Sequence, residues 1–108
     1  MNLLSDLPDA RQGEVSQVLL EQGDIRLERI VSLGQVTPAG YWYDQEQDEW
    51  VLVLAGEASV QFVDGATRRL RPGDWLHLPA RCRHRVDWTD PERETVWLAL
   101  HWKRNRED

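Results

Sequence analysis

Two ionisable side chains in this chain occupy settings that demand a partner. His84 lies where Arg81, Arg83 and Arg85 alternate with Cys82, His84, Val86 and then Trp88. Strand side chains alternate between faces, so the arginines share one face and His84 shares the other with apolar residues. An imidazole held on an inward face needs a partner, and it titrates near neutral pH. Glu49 opens a run, residues 50–55, that is nearly all apolar. A lone carboxylate at that point is costly unless it is paired. Groups of this kind move protons or hold ligands. Cys82 shares the parity of His84 and reads as a small buried hydrophobe, with nothing nearby to suggest a catalytic triad. His77, between Leu76 and Leu78, is expected on the opposite face. Val96, Leu98, Leu100 and Trp102 read as the inward set of their strand. That turns His101 outward with Trp97 and Ala99, and a slip of one residue reverses it.

Short strands must position these groups. Pro72-Gly73 supplies a tight turn ahead of an apolar strand at 75–78, and Pro79 marks the bend before His84. Asp64-Gly65 reads as a two-residue hairpin turn. Ala58, Val60 and Phe62 alternate before it, and a strand at 66–70 follows. Residues 15–21 and 25–33 read as two strands joined at Gln22-Gly23-Asp24. Val15, Val18 and Leu19 also fit a helical stripe, but the turn signal favours the hairpin. In the second strand Ile25, Leu27, Val31 and Leu33 share a face that Arg29 interrupts. Tyr41-Trp42-Tyr43 reads as a short aromatic strand, and 49–55 as a strand buried on both sides. Strands at 84–88 and 95–102, joined by Asp90-Pro91-Glu92, complete the set. Turns spaced roughly every ten residues, with no long helix, predict an all-β antiparallel sandwich or barrel. The expected organisation is an N-terminal arm at 1–14, a single domain at 15–102 and a C-terminal tail at 103–108.

A chain of 108 residues has the size of one domain. Its net charge of −6 disfavours general attraction to nucleic acid. Asp44, Glu46, Asp48 and Glu49 form an acidic patch, and Arg68, Arg69, Arg71, Arg81, Arg83 and Arg85 a basic one. Both read as solvated faces and loops. One cysteine excludes an intramolecular disulfide and suits a reducing cytoplasm. The first residues lack the basic start and apolar run of a signal peptide, and no stretch has membrane-spanning length. Six tryptophans supply large walls for a core, an interface or a ligand cavity.

Two partial motifs make the chain resemble the cupin superfamily of small jelly-roll barrels. The second motif of that family, G-x5-P-x-G-x2-H-x3-N, is matched by Gly73, Pro79 and His84. Arg81 stands at its second glycine and Trp88 at its asparagine. The first motif, G-x5-H-x-H-x3-4-E-x6-G, is matched by Glu49 and Gly56. The resemblance implies a divalent metal held by the histidine pair, the glutamate and the later histidine. Here the pair is replaced, its positions falling on Tyr43 and Gln45 or on Trp42 and Asp44. Glu49 and His84 carry over as implied ligands; Gln45 or Asp44 could add an oxygen, and Tyr43 a phenolate or a hydrogen bond. One nitrogen with several oxygens suits Mn, Fe or Zn. Without metal, a Glu49–His84 ion pair meets the same burial cost and forms a general acid–base couple. Tyr43, Trp50 and Trp75 are expected as pocket walls.

The expected function is therefore a small cytoplasmic protein that binds a divalent metal, a small molecule or both. If catalytic, it acts as a dioxygenase, isomerase or lyase, with Glu49 and His84 as the candidate catalytic residues. The alternative is a metal-free module that binds or senses a small ligand. A homodimer is implied by resemblance, and the barrel by itself leaves the substrate open.

Overall fold

The computed structural model describes residues 1–103. They form eight strands and no helix: β1 (Val15–Gln22), β2 (Ile25–Ser32), β3 (Gln47–Ala55), β4 (Ala58–Phe62), β5 (Thr67–Leu70), β6 (Trp75–Leu78), β7 (His84–Thr89) and β8 (Thr95–Lys103). Five strands pair in the order β1-β2-β8-β3-β6 and three in the order β5-β4-β7. Every pairing is antiparallel. The all-β jelly-roll expectation is the observed architecture. The tail expected at 103–108 begins on the last residue of β8, and beyond Lys103 it lies outside the described residues. No helix among the described residues is long and apolar enough to cross a membrane.

The core lies between the sheets and contains Val51, Val53, Ala58, Val60, Leu70, Leu78, Trp97 and Ala99. Alternation along β3 sends Glu49, Val51 and Val53 inward and Trp50 and Leu52 outward. Register then decides which β8 residues join them. Glu49 pairs with His101, Val51 with Ala99 and Val53 with Trp97. The inward set of β8 is therefore Trp97, Ala99 and His101, the reverse of the sequence expectation. β8 is a central strand with apolar residues on both faces, so its own pattern does not choose between them.

Three further local expectations change for physical reasons. Tyr41-Trp42-Tyr43 forms no strand; only Tyr43 finds a ladder partner, in a single bridge to His84. The second strand stops at Ser32, because Gly34 takes φ of +81° and breaks extended geometry. In β7 the register shifts, so that Val86 faces Val60 and Trp88 faces Ser59. A bulge of this kind turns the following side chain over. Trp88 therefore leaves the face of His84 and lies under Arg69, 4.1 Å from its ring centre.

The N-terminal arm is tied down by two side chains. The buried Arg29 guanidinium donates to the carbonyl oxygens of Leu3, Ser5 and Asp6, and to Gln17 Oε1. Gln35 Nε2 donates to the Ala10 carbonyl at 2.7 Å. The residue that interrupts the apolar face of β2 is thus the clamp for the arm. The acidic and basic patches also meet within the chain. Arg81 reaches Asp44 and Glu46, each at 3.2 Å, and Glu57 pairs with Arg69 and Arg71.

Candidate functional site

A cavity of about 540 Å³ opens between the sheets, within the size range of small-molecule sites. Cross-strand register builds one wall. Arg26, His101 and Glu49 stand side by side on the inner faces of β2, β8 and β3, with Glu28 one step along β2. His84 enters from the smaller sheet at the start of β7, and the Tyr43 bridge brings Tyr43 beside it. The Tyr43 and His84 rings stack with centres 5.5 Å apart.

Glu49 lies between two histidines. Its Oε1 is 3.8 Å from His84 Nε2, and its Oε2 is 3.8 Å from His101 Nε2. His101 Nε2 also lies 3.5 Å from Glu28 Oε1, which accepts from Arg26 Nε at 2.6 Å. Gln45 Nε2 donates to Glu49 Oε1 at 3.4 Å. His84 Nδ1 sits 2.9 Å from the Cys82 carbonyl oxygen. A carbonyl only accepts, so that contact places the hydrogen of a neutral ring on Nδ1. Nε2 is left with a lone pair towards Glu49.

Electrostatics leave the site poised near neutrality. Burial pushes the Glu49 carboxyl up to about 7; the Gln45 hydrogen bond pulls it down, and the charge of Glu28 pushes it further up. Burial lowers the pKa of His84, opposed by its bond to Cys82. Burial also lowers that of His101, reinforced by Arg26 and opposed by Glu28. Neutral imidazoles beside a carboxyl that titrates near 7 can exchange a proton with little change in charge.

The structure brings together Tyr43, Gln45, Glu49 and His84 and adds Arg26, Glu28, Glu14 and His101. The motif spacing with three residues before Glu49 is therefore the one the fold uses. Asp44 turns away to Arg81. Trp50 and Trp75, expected as pocket walls, do not line the cavity; they are one step out of phase with Glu49. Their rings pack on each other 5.9 Å apart on the outer face, where Trp75 is exposed. Trp97 supplies the aromatic wall instead. His77 faces outward as expected and stacks on Trp102. Arg26 and Glu28 escape a reading of the sequence because charges alternating with Ile25 and Leu27 look like a solvent face. Only the placement of β2 beside β8 turns that face inward.

The donor set does not fit the divalent metal implied by the resemblance. The histidine-pair positions of the first motif carry Tyr43 and Gln45, and burial raises the Tyr43 phenol, so neither supplies the imidazole or phenolate donor that the resemblance implies. The Gln45 amide is directed to Glu49, its Nε2 donating to Oε1 at 3.4 Å. Among the described residues no group of three or more His, Cys, Asp or Glu could hold a metal ion.

Residues 31–101 match the family model of the cupin domain. No curated protein matches the chain. A crystal structure from Ralstonia eutropha JMP134, of a protein named a putative mannose-6-phosphate isomerase, is 50% identical; the match covers 96% of this chain and 97% of that one, with a TM-score of 0.92. A cupin superfamily protein from Desulfitobacterium hafniense DCB-2 shares the fold at 19% identity and a TM-score of 0.76, over 91% of this chain and 84% of that one. A Cupin 2 conserved barrel domain protein from Salinispora arenicola CNS-205 does so at 22% and 0.67, over 83% and 76%. Eight antiparallel strands, two partial motifs converging on one cavity and a family match over most of the domain lead to one conclusion: the chain belongs to the cupin family.

Proposed function

We propose that the cavity binds a small polar molecule and that Glu49 and His84 transfer a proton on it. The observation that carries this reading is the carboxyl of Glu49 held between His84 and His101 at the wall of the cavity. His84 Nε2, kept as a lone pair by the Cys82 contact, accepts a proton from a carbon or hydroxyl of the ligand. Protonated Glu49 returns one to the neighbouring position. That is the chemistry of an isomerase or a lyase, and the isomerase name of the R. eutropha protein supports the reaction class. Residue-level acid–base catalysis of this kind contributes roughly 10²–10⁴-fold.

The test is solvent deuterium uptake into a panel of aldoses, ketoses and amino sugars. Uptake into at least one member is expected, and Glu49→Gln and His84→Ala should each lower it at least about 10²-fold. Binding without uptake would overturn the catalytic part and leave a ligand-binding module. Metal present at one equivalent in wild type, and lost in His84→Ala, would overturn the metal-independent reading.

We also propose a cytoplasmic homodimer. The single cysteine suits a reducing compartment. The outer face of the larger sheet exposes Leu20, Ile25 and Trp75 beside the half-buried Trp50, Leu52 and Leu100. Exposed apolar side chains grouped on one face favour association. Light scattering should give twice the chain mass, and a monomer at micromolar concentration would refute the dimer.

A further inference from the structure

The charge around the cavity restricts what can enter it. Among the described residues Glu14, Glu28 and Glu49 all line it, against a single cation, Arg26, whose Nε is bonded to Glu28. The only lysine, Lys103, ends β8 and does not line the cavity. Arg29 is spent on the carbonyls of the arm, and Arg85 donates to the Thr37 carbonyl and to Gln61. No helix N-terminus is present among the described residues to receive a phosphate. The cavity walls also include Tyr43 and Trp97, aromatic side chains whose ring faces attract cations. His101, more than nine-tenths buried, lines the same space, and its Nδ1 has no hydrogen-bond partner among the described residues.

From this geometry we infer that the ligand is a small organic cation, an amino sugar or similar amine, and not a phosphorylated sugar. The inference rests on the proposed cavity-binding reading and names its substrate class. An ammonium group placed beside Glu14 and Glu28 offsets carboxylate charge that Arg26 alone does not balance, and leaves Glu49 the proton that the proposed transfer uses. Burial, together with the charges of Glu14 and Glu49, raises the Tyr43 phenol, which is consistent with a negative interior. A phosphate would add negative charge to a wall where, among the described residues, three carboxyls already face one guanidinium.

The test uses two series of related compounds, each with a cationic, a neutral and an anionic member, titrated calorimetrically against the full-length protein at pH 7. Mannosamine, mannose and mannose 6-phosphate form one series; benzamidine, benzamide and benzoate form the other. In at least one series the cation should bind at least about tenfold more tightly than its neutral analogue, a difference of about 1.4 kcal/mol, with no detectable binding of the anion. Glu14→Gln and Glu28→Gln should each shrink that preference. If either variant fails to fold, the wild-type series alone decides. Mannose 6-phosphate or benzoate binding as tightly as its cationic partner, or neutral and cation binding alike, overturns the inference while leaving the cavity reading intact. Binding by none of the six overturns both.

Discussion

Glu49 carries most of the electrostatic cost of the site. Its carboxyl is raised from 4.5 to about 7 because burial penalises the charged form and Glu28 adds repulsion. A shift of that size corresponds to on the order of 3 kcal/mol between protonation states. The folded state binds this proton more tightly than the unfolded chain does. The associated stability is therefore full below pH 4.5 and is lost as pH rises towards 7. His84 and His101 act with opposite sign: their lowered values mean that the unfolded chain takes up protons first, so folding is favoured as pH rises. Comparing wild type with Glu49→Gln isolates the carboxyl. Urea unfolding should show the variant gaining stability over wild type from pH 5 to pH 8, by roughly 2–3 kcal/mol. A constant difference across that range would show that Glu49 is not buried as a charge.

At the level of elements, the bends matter as much as the strands. Arg81 stands where the second motif has a glycine, and its φ is +67°, in the left-handed region. The fold keeps the glycine conformation although the side chain has changed, because Arg81 N–H donates to the Gln45 carbonyl at 2.7 Å. That bond helps set the loop that carries Tyr43 and Gln45 beside His84. Exposed pairs with Asp44 and Glu46 are worth at most about 1 kcal/mol each, and any truncation removes both. Comparing Arg81→Gly with Arg81→Ala therefore isolates the backbone. Glycine should be more stable than alanine by about 1 kcal/mol in urea unfolding. Equal midpoints would mean the turn carries no strain. Gly56 is held more strictly, since a Cβ there would lie 2.5 Å from the Glu94 carbonyl oxygen and 2.6 Å from Thr95 Cα.

Across the whole molecule, the arm and the sandwich form one unit through Arg29. Three arm carbonyls and Gln17 satisfy the guanidinium of Arg29, a residue only 8% exposed, so the arm and the buried charge stabilise each other. Arg29→Met keeps the aliphatic stem and removes the clamp. Limited proteolysis should then cut within residues 1–14 at least about tenfold faster while the strands stay protected, as expected when a segment loses its anchoring bonds. Cleavage at the wild-type rate would show that the arm is held by other contacts. Because Gln35 also binds Ala10 and lines the cavity, the same clamp supports the wall next to the site.

Local chemistry alone determined the strand-rich antiparallel frame and the turns at Asp64-Gly65 and Pro72-Gly73. It also made Glu49 and His84 stand out as inward groups needing partners. These features depend on period-two alternation and on turn residues, both of which act over a few positions. Tertiary structure decided the rest of the site. His101 faces inward because β3 and β8 pair in one register, and nothing within β8 distinguishes its two apolar faces. Arg26 and Glu28 join it because β2 lies on the other side of β8. The same parity that places Glu49 at the cavity sends Trp50 and Trp75 to the outer surface. A row of side chains contributed by three strands is a property of register, and register is set by packing between segments far apart in the chain.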